Sequence, residues 1–269
     1  GVLAWVGAQP LQFDAKFFNE TRKQRSVLEW VRDSPRLGID FLKVVRNDGS
    51  TIAHTAAANN RHNVLEWVRE SPHLGLSFLK QTRSNGSTIA HVAAENGEPD
   101  ILTWIRDCPR LGVEFLSQAS SDGSTVAHAA TTCGKKSRNA LEWIRKCPGL
   151  GIDFLQRSRH DGWTIAHVAA SIGEYDVLEW IRVRPELGLD LLKQARTDGL
   201  TIAHVAAAHN EHEVLQWIRN RPELGFDFLK LARHDGSTIA HAAAEGGGSN
   251  ALEWIRSCPE LDVGFLKQV

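Results

Sequence analysis

At 269 residues and 42% apolar composition the chain can bury a sizeable core, and its formal charge of −1, from 31 Lys and Arg against 32 Asp and Glu, leaves no basic excess for a phosphate backbone or an anionic membrane surface. Its apolar runs fall far short of the roughly 20 residues a bilayer-spanning helix needs, and neither end carries a lipid-anchoring motif, so membrane insertion is set aside with nucleic acid. Four cysteines, Cys108, Cys133, Cys147 and Cys258, are too few and too dispersed for a disulfide framework, which points to an intracellular, reducing compartment.

In chain order, Val2 to Val6 followed by Pro10 has the spacing of Val27 to Val31 followed by Pro35. It lacks a basic leader and reads as part of a repeat rather than a signal peptide. Residues 1–10 are assigned to the remnant of a preceding repeat and 11–47 to a degenerate N-terminal repeat. In the latter, Leu28-Glu29-Trp30 matches Leu65-Glu66-Trp67, but Asp14 and Phe17 stand where Thr and His belong. The absent initiator Met, and Val269 stopping just before the next Asp-Gly, read as an array cut at both ends.

From Asp48 the pattern is regular. Thr-Ile-Ala-His recurs at 51, 88, 164, 201 and 238, with Thr-Val-Ala-His at 125. The spacing is 37 residues except for 39 between the third and fourth copies, where Lys135 to Arg138 read as a lengthened surface loop. Six repeats follow, 48–84, 85–121, 122–160, 161–197, 198–234 and 235–269, in one elongated, all-α solenoid of paired antiparallel helices.

Each repeat opens on an Asp-Gly turn, as at Asp161-Gly162, after which Thr164 caps a short Ala-rich helix. Gly173 closes it, and Val177, Leu178, Trp180 and Ile181 give a second helix its apolar face. Glu179 and Arg182, like Glu29/Arg32, Glu66/Arg69, Glu142/Arg145 and Glu253/Arg256, stand three apart and read as ion pairs on a solvated face, with no function assigned. Pro185 and its equivalents mark the exit from the second helix. Asp190 is expected to cap an extra turn carrying Leu191 and Leu192, a position held by Phe41, Phe78, Phe115, Phe154, Phe228 and Phe265 elsewhere.

The repeated Asp-Gly-x-Thr-x-x-His-x-Ala-Ala-x-x-Gly resembles the ankyrin repeat, a turn plus two antiparallel helices opened by Thr-Pro-Leu-His. Two departures matter: Ile165-Ala166 replaces Pro-Leu while Trp180 replaces an aliphatic residue, read as a volume exchange, and the unit exceeds the typical length of about 33 residues. The resemblance implies that His54, His91, His128, His167, His204 and His241 bond the Thr hydroxyl and nearby backbone rather than form a metal ladder. His209 and His212 approach ligand spacing, but nothing completes a site, so no metal and no cofactor are expected. Cys108, Cys147 and Cys258 read as free thiols, and Cys133 as the one to test for reactivity. Arg46, Arg83, Arg159, Arg196 and Arg233 precede the turns and are expected to pair with the turn aspartates. No Gly-rich phosphate loop, His-Glu-x-x-His or Gly-x-Ser-x-Gly occurs, and the expectation is that the chain is not an enzyme.

The resemblance also implies that a partner protein docks on the concave surface of turn tips and first helices, through residues that differ between repeats. Before the motif Thr stands Ser50, Ser87, Ser124 or Ser237, but Trp163 and Leu200 in two adjacent repeats. With Ile172 and His209 they are expected to form one largely apolar patch. The leading reading is a non-catalytic scaffold for protein–protein interaction. The alternatives are a subunit packed permanently in a large assembly and the substrate-recruiting arm of a longer enzyme.

Overall fold

The computed structural model describes residues 38–261. The remnant at 1–10, residues 11–37 with Glu29 and Arg32, and 262–269 with Phe265 lie outside them. The described residues form eighteen α-helices and one 3-10 turn, with no strand among them. By packing, the chain divides into two compact units, Gly1–Ser121 and Asp122–Val269. This differs from the single array expected: Ser121 and Asp122 stand in an ordinary inter-repeat turn, with no linker or charge run to mark a division.

Both units are built from the same three-helix element. In the first, Ile52–Ala58, His62–Glu70 and Gly75–Leu79 are followed by Ile89–Glu95, Pro99–Asp107 and Gly112–Leu116, after the short helix Gly38–Leu42. The second unit repeats the element from Val126–Thr131 to Ser249–Ser257. Within each unit, first helices pack on neighbouring first helices and on their own second helix, and the short helix packs on the second. The core follows: Ile165, Ala166, Ala169, Ala170, Leu178 and Ile181 have no solvent exposure.

The first helix owes its start to a capping box. Thr164 has extended backbone, its side chain accepts from the His167 backbone, and its own N–H donates to His167 Nδ1 at 3.3 Å. The same box opens every first helix, at Thr51, Thr88, Thr125, Thr201 and Thr238. Because Nδ1 accepts, the imidazole proton sits on Nε2, which donates to a carbonyl of the next turn. His128 reaches Trp163 O at 3.1 Å, His167 reaches Leu200 O at 3.4 Å and His204 reaches Ser237 O at 3.2 Å. Each ring satisfies one donor and one acceptor without a charge, and burial holds His128, His167 and His204 at about 4, below the ordinary histidine value.

The turn before each first helix needs glycine. Gly123 has φ +85°, and a side chain there would meet the His160 backbone nitrogen at 2.7 Å, since His160 N–H donates to Asp122 O across the turn.

Three local expectations are corrected. The extra turn begins at Gly188 with Leu187 as its N-cap, so Asp190 lies inside the first helical turn and caps nothing; Gly188, at φ +49°, starts the turn three residues earlier than a cap at Asp190 would. The insertion near Lys135 is not a loop: a 3-10 turn, Gly134–Lys136, feeds directly into Ser137–Lys146, held by Ser137 Oγ donating to Thr131 O at 2.9 Å. Some tryptophans of the second helices do more than fill volume. The indole N–H groups of Trp217 and Trp254 reach the preceding second helix, at Glu179 (3.3 Å) and Gln216 (3.0 Å), whereas that of Trp180 is buried without a hydrogen-bond partner.

Candidate functional site

The turn that carries Trp163 is built like those that carry serine. Ser124 N–H donates to Asp122 Oδ1 at 2.9 Å and Ser237 N–H to Asp235 Oδ1 at 2.9 Å; Trp163 N–H does the same to Asp161 at 3.1 Å and Leu200 N–H to Asp198 at 3.1 Å. What changes is the side chain. The Ser124 hydroxyl also donates to Asp122 Oδ2 at 3.0 Å, a bond Trp163 and Leu200 lack. The arginines pair with the carboxylates of both kinds of turn: Arg159 lies 2.9 Å from Asp122 and 3.5 Å from Asp161, Arg196 lies 3.4 Å from Asp198, and Arg233 lies 3.3 Å from Asp198. Asp198 accordingly stays below the usual carboxylate range, its burial outweighed by the Leu200 N–H, Arg196 and Arg233.

The backbone of Trp163 is held on both sides, its carbonyl accepting from Arg159 N–H at 2.8 Å and from His128 Nε2. Its indole is half-buried, with the Arg159 guanidinium 5.6 Å from the ring centre, His167 tilted at 6.3 Å and His209 edge-on at 6.1 Å. Trp163 and His209, distant in sequence, are thus brought together. Leu200 is half-buried beneath the same turn edge, its carbonyl receiving His167. Ile172 ends the first helix of its repeat and is 42% exposed. At that position Asn59 and Asn96 bond the carbonyl four residues back at 2.8 Å, and His209 Nδ1 does so to Val205 O at 3.0 Å; Ile172 presents an apolar side chain there.

His209 and His212 part company: the first sits beside Trp163, and the second lines a groove on the second-helix face. Among the described residues no three His, Cys, Asp or Glu side chains gather as metal ligands, and no helix is long and apolar enough to cross a membrane. None of the four cysteines forms a disulfide; burial pushes the Cys133 thiol up, away from a reactive thiolate.

The second-helix face is richer than a row of solvated ion pairs. Glu179 accepts from Arg182 of its own helix at 2.7 Å, from Arg221 of the next repeat at 3.0 Å and from Trp217. Arg182 reaches on to Glu223 at 2.9 Å, and Arg184 lies 4.1 Å over the Trp180 ring while bonding Glu142 at 2.8 Å. Hydrogen bonds from Arg145 to Glu142 and from Arg182 to Glu179 are the main reason both carboxyls stay well below their ordinary value. Sequence spacing reveals the pair within a helix and misses the partner about 40 residues away. At Gln216 and Cys258 uncharged residues take the places of Glu179 and Arg221, while Arg219 still reaches Glu260 at 3.2 Å; beside them an open groove of about 420 Å³ is lined by residues from Tyr175 to Trp254.

Neither a protein-family model nor a curated protein matches the chain. Among solved structures, one similar chain is found in the complex of a predatory endopeptidase, Bd0816, from Bdellovibrio bacteriovorus with the immunity protein Bd3460. That match has 17% identity and a TM-score of 0.47, covering 79% of this chain and 98% of that one. The expectation that the chain is not an enzyme is withdrawn on this finding, because the structure it matches is that of an endopeptidase complex. That expectation rested on three missing motifs, which test short signatures and not the catalytic arrangements a fold assembles from distant residues. A likeness at this level passes neither activity nor partner to this chain.

Proposed function

We propose that the chain is an ankyrin-type helical repeat protein that binds another protein through the turn edge of its second unit, with Trp163 as the anchor and His209, Leu200 and Ile172 around it. One observation carries this reading. The Asp161 turn makes the same backbone bond whether serine or tryptophan follows the glycine, so the turn has no need of the indole, which nonetheless stays half in solvent against His209. A large aromatic ring held rigidly, with part of its face open, is the kind of side chain that dominates interfaces, where its truncation commonly costs about 2 kcal/mol or more of binding.

The test is affinity capture from a native extract with the full chain, against the Trp163→Ser/Leu200→Ser double variant, whose fold is verified by circular dichroism. Loss of a specific partner from the variant, at roughly thirtyfold weaker binding for the 2 kcal/mol above, is expected. An unchanged set of partners overturns the assignment.

A further inference from the structure

The sequence contains two Asn-Gly pairs, Asn85-Gly86 and Asn96-Gly97, in the same repeat. In such a pair the glycine nitrogen, with no side chain beside it, can attack the asparagine amide carbon. A carbon–nitrogen bond forms, ammonia leaves with the glycine N–H proton, and water opens the resulting succinimide to aspartate or isoaspartate. Both pairs carry this chemistry in an unfolded chain, so a preference between them comes from the fold.

The fold treats the two differently. Asn85 stands exposed on its turn, where its Oδ1 accepts the Ser87 N–H at 3.0 Å. A donor at that oxygen polarises the amide and stabilises the charge that develops on it during attack. One bond guards the nucleophile, from Gly86 N–H to Arg83 O at 2.9 Å, and opening a surface turn is enough to free it. Asn96 is also exposed, but it caps the end of the helix Ile89–Glu95, and its Nδ2 donates to Val92 O at 2.8 Å, so the leaving group is tied down. Gly97 is buried and its N–H donates to Ala94 O at 2.9 Å. Attack there requires fraying the helix end. An aspartate product would then set a carboxylate against the Val92 carbonyl and the negative end of the helix.

The Asn85 turn, by contrast, is already shaped for its product. Asp48, Asp122, Asp161, Asp198 and Asp235 hold the same place in the other repeats. Ser50 N–H donates to Asp48 Oδ1 at 2.9 Å as Ser87 does to Asn85, and the main-chain carbonyls of Asp48 and Asn85 accept from Ser84 and Ser121, each at 3.0 Å. A cation stands beside it. Arg159 and Arg196 lie 3.5 and 3.4 Å from the aspartates of their own turns, whereas Arg83, with an amide in that place, bonds Ser50 Oγ at 2.9 Å and Glu95 at 3.3 Å.

We propose that Asn85 is a self-modification site: in the folded chain it deamidates while Asn96 is spared, and the new carboxylate completes the row of turn aspartates and draws on Arg83. The aspartate product adds a negative charge to a turn edge of the first unit without altering its frame. Isoaspartate would insert a backbone carbon next to Gly86, where space is short, since a Cβ on Gly86 would meet Ser121 N at 2.6 Å.

The test incubates the full chain at mildly alkaline pH, folded and in urea, and follows both asparagines by peptide mass spectrometry. In the folded chain Asn85 converts about tenfold faster than Asn96 or more, the effect of one or two hydrogen bonds, and in urea the two convert at similar rates. Asn85→Asp, which supplies the product directly, keeps the urea midpoint of the original chain. In that background Glu95→Gln destabilises less than it does alone, because Arg83 has a second carboxylate. Conversion of Asn96 as fast as Asn85 in the folded chain, a silent Asn85 while the chain in urea converts fully, a lowered midpoint for Asn85→Asp, or an equal effect of Glu95→Gln in both backgrounds overturns the proposal.

Discussion

In the second unit His128, His167 and His204 join each repeat to the next from inside, buried and neutral, whereas Glu142, Glu179 and their arginines join the same repeats from outside, charged and half in water. The inner bond tolerates little change. Both ring nitrogens are committed, and a buried replacement would strand a Thr N–H and a turn carbonyl. The outer bond admits change because water can take over a missing partner, and at Gln216 and Cys258 the counterpart of the Glu179–Arg221 pair is absent while Arg219 still reaches Glu260. Repetition therefore marks the structural rail, and departures from repetition mark surfaces free to acquire a role, as at Trp163.

Acid should separate the two linkages most sharply. The folded rail holds its histidines at about 4, and the unfolded chain takes up their protons near 6.5. Their contribution is fully present above pH 6.5 and is lost as pH falls towards 4, at up to about 1.4 kcal/mol per pH unit for each ring. Urea unfolding across that window should show the decline, and a flat profile would break the account of the rail as neutral and buried. The Glu142 and Glu179 carboxyls, held low, add their own loss at more acid pH.

A single deletion comes next in size. His167→Ala removes the capping-box acceptor and the bond to Leu200 O and leaves a cavity, at an expected cost of about 3 kcal/mol at pH 7 in urea unfolding. Smallest is Glu179→Gln, which leaves Arg182 with Glu223 and frees Arg221 to water. With the carboxylate about a third exposed, a loss of about 1 kcal/mol is expected, shrinking in high salt. Equal losses for the two variants would erase the distinction between inner and outer linkage.

Much of this was legible in the residues. The Thr-x-x-His spacing gives the capping box, the Asp-Gly pair gives the positive-φ turn, and Trp163 stands out because serine fills its place in four of the other repeats. Other features were not. Asp190 has the composition of a cap and is none, because Gly188 starts the helix earlier. Lys135 reads as loop and is helical, because Ser137 finds a buried carbonyl. The groove at Trp254 has no local signature, because its walls come from three helices.

The sequence by itself determined the helical period, the turn chemistry and the order of the elements, since these depend on bonds between residues within a few positions of one another. Only the tertiary structure decided the division into two compact units, the pairing of Glu179 with Arg221, and the meeting of Trp163 with His209. Each depends on which groups lie within a few ångströms across the packed repeats, and distance along the chain does not set that.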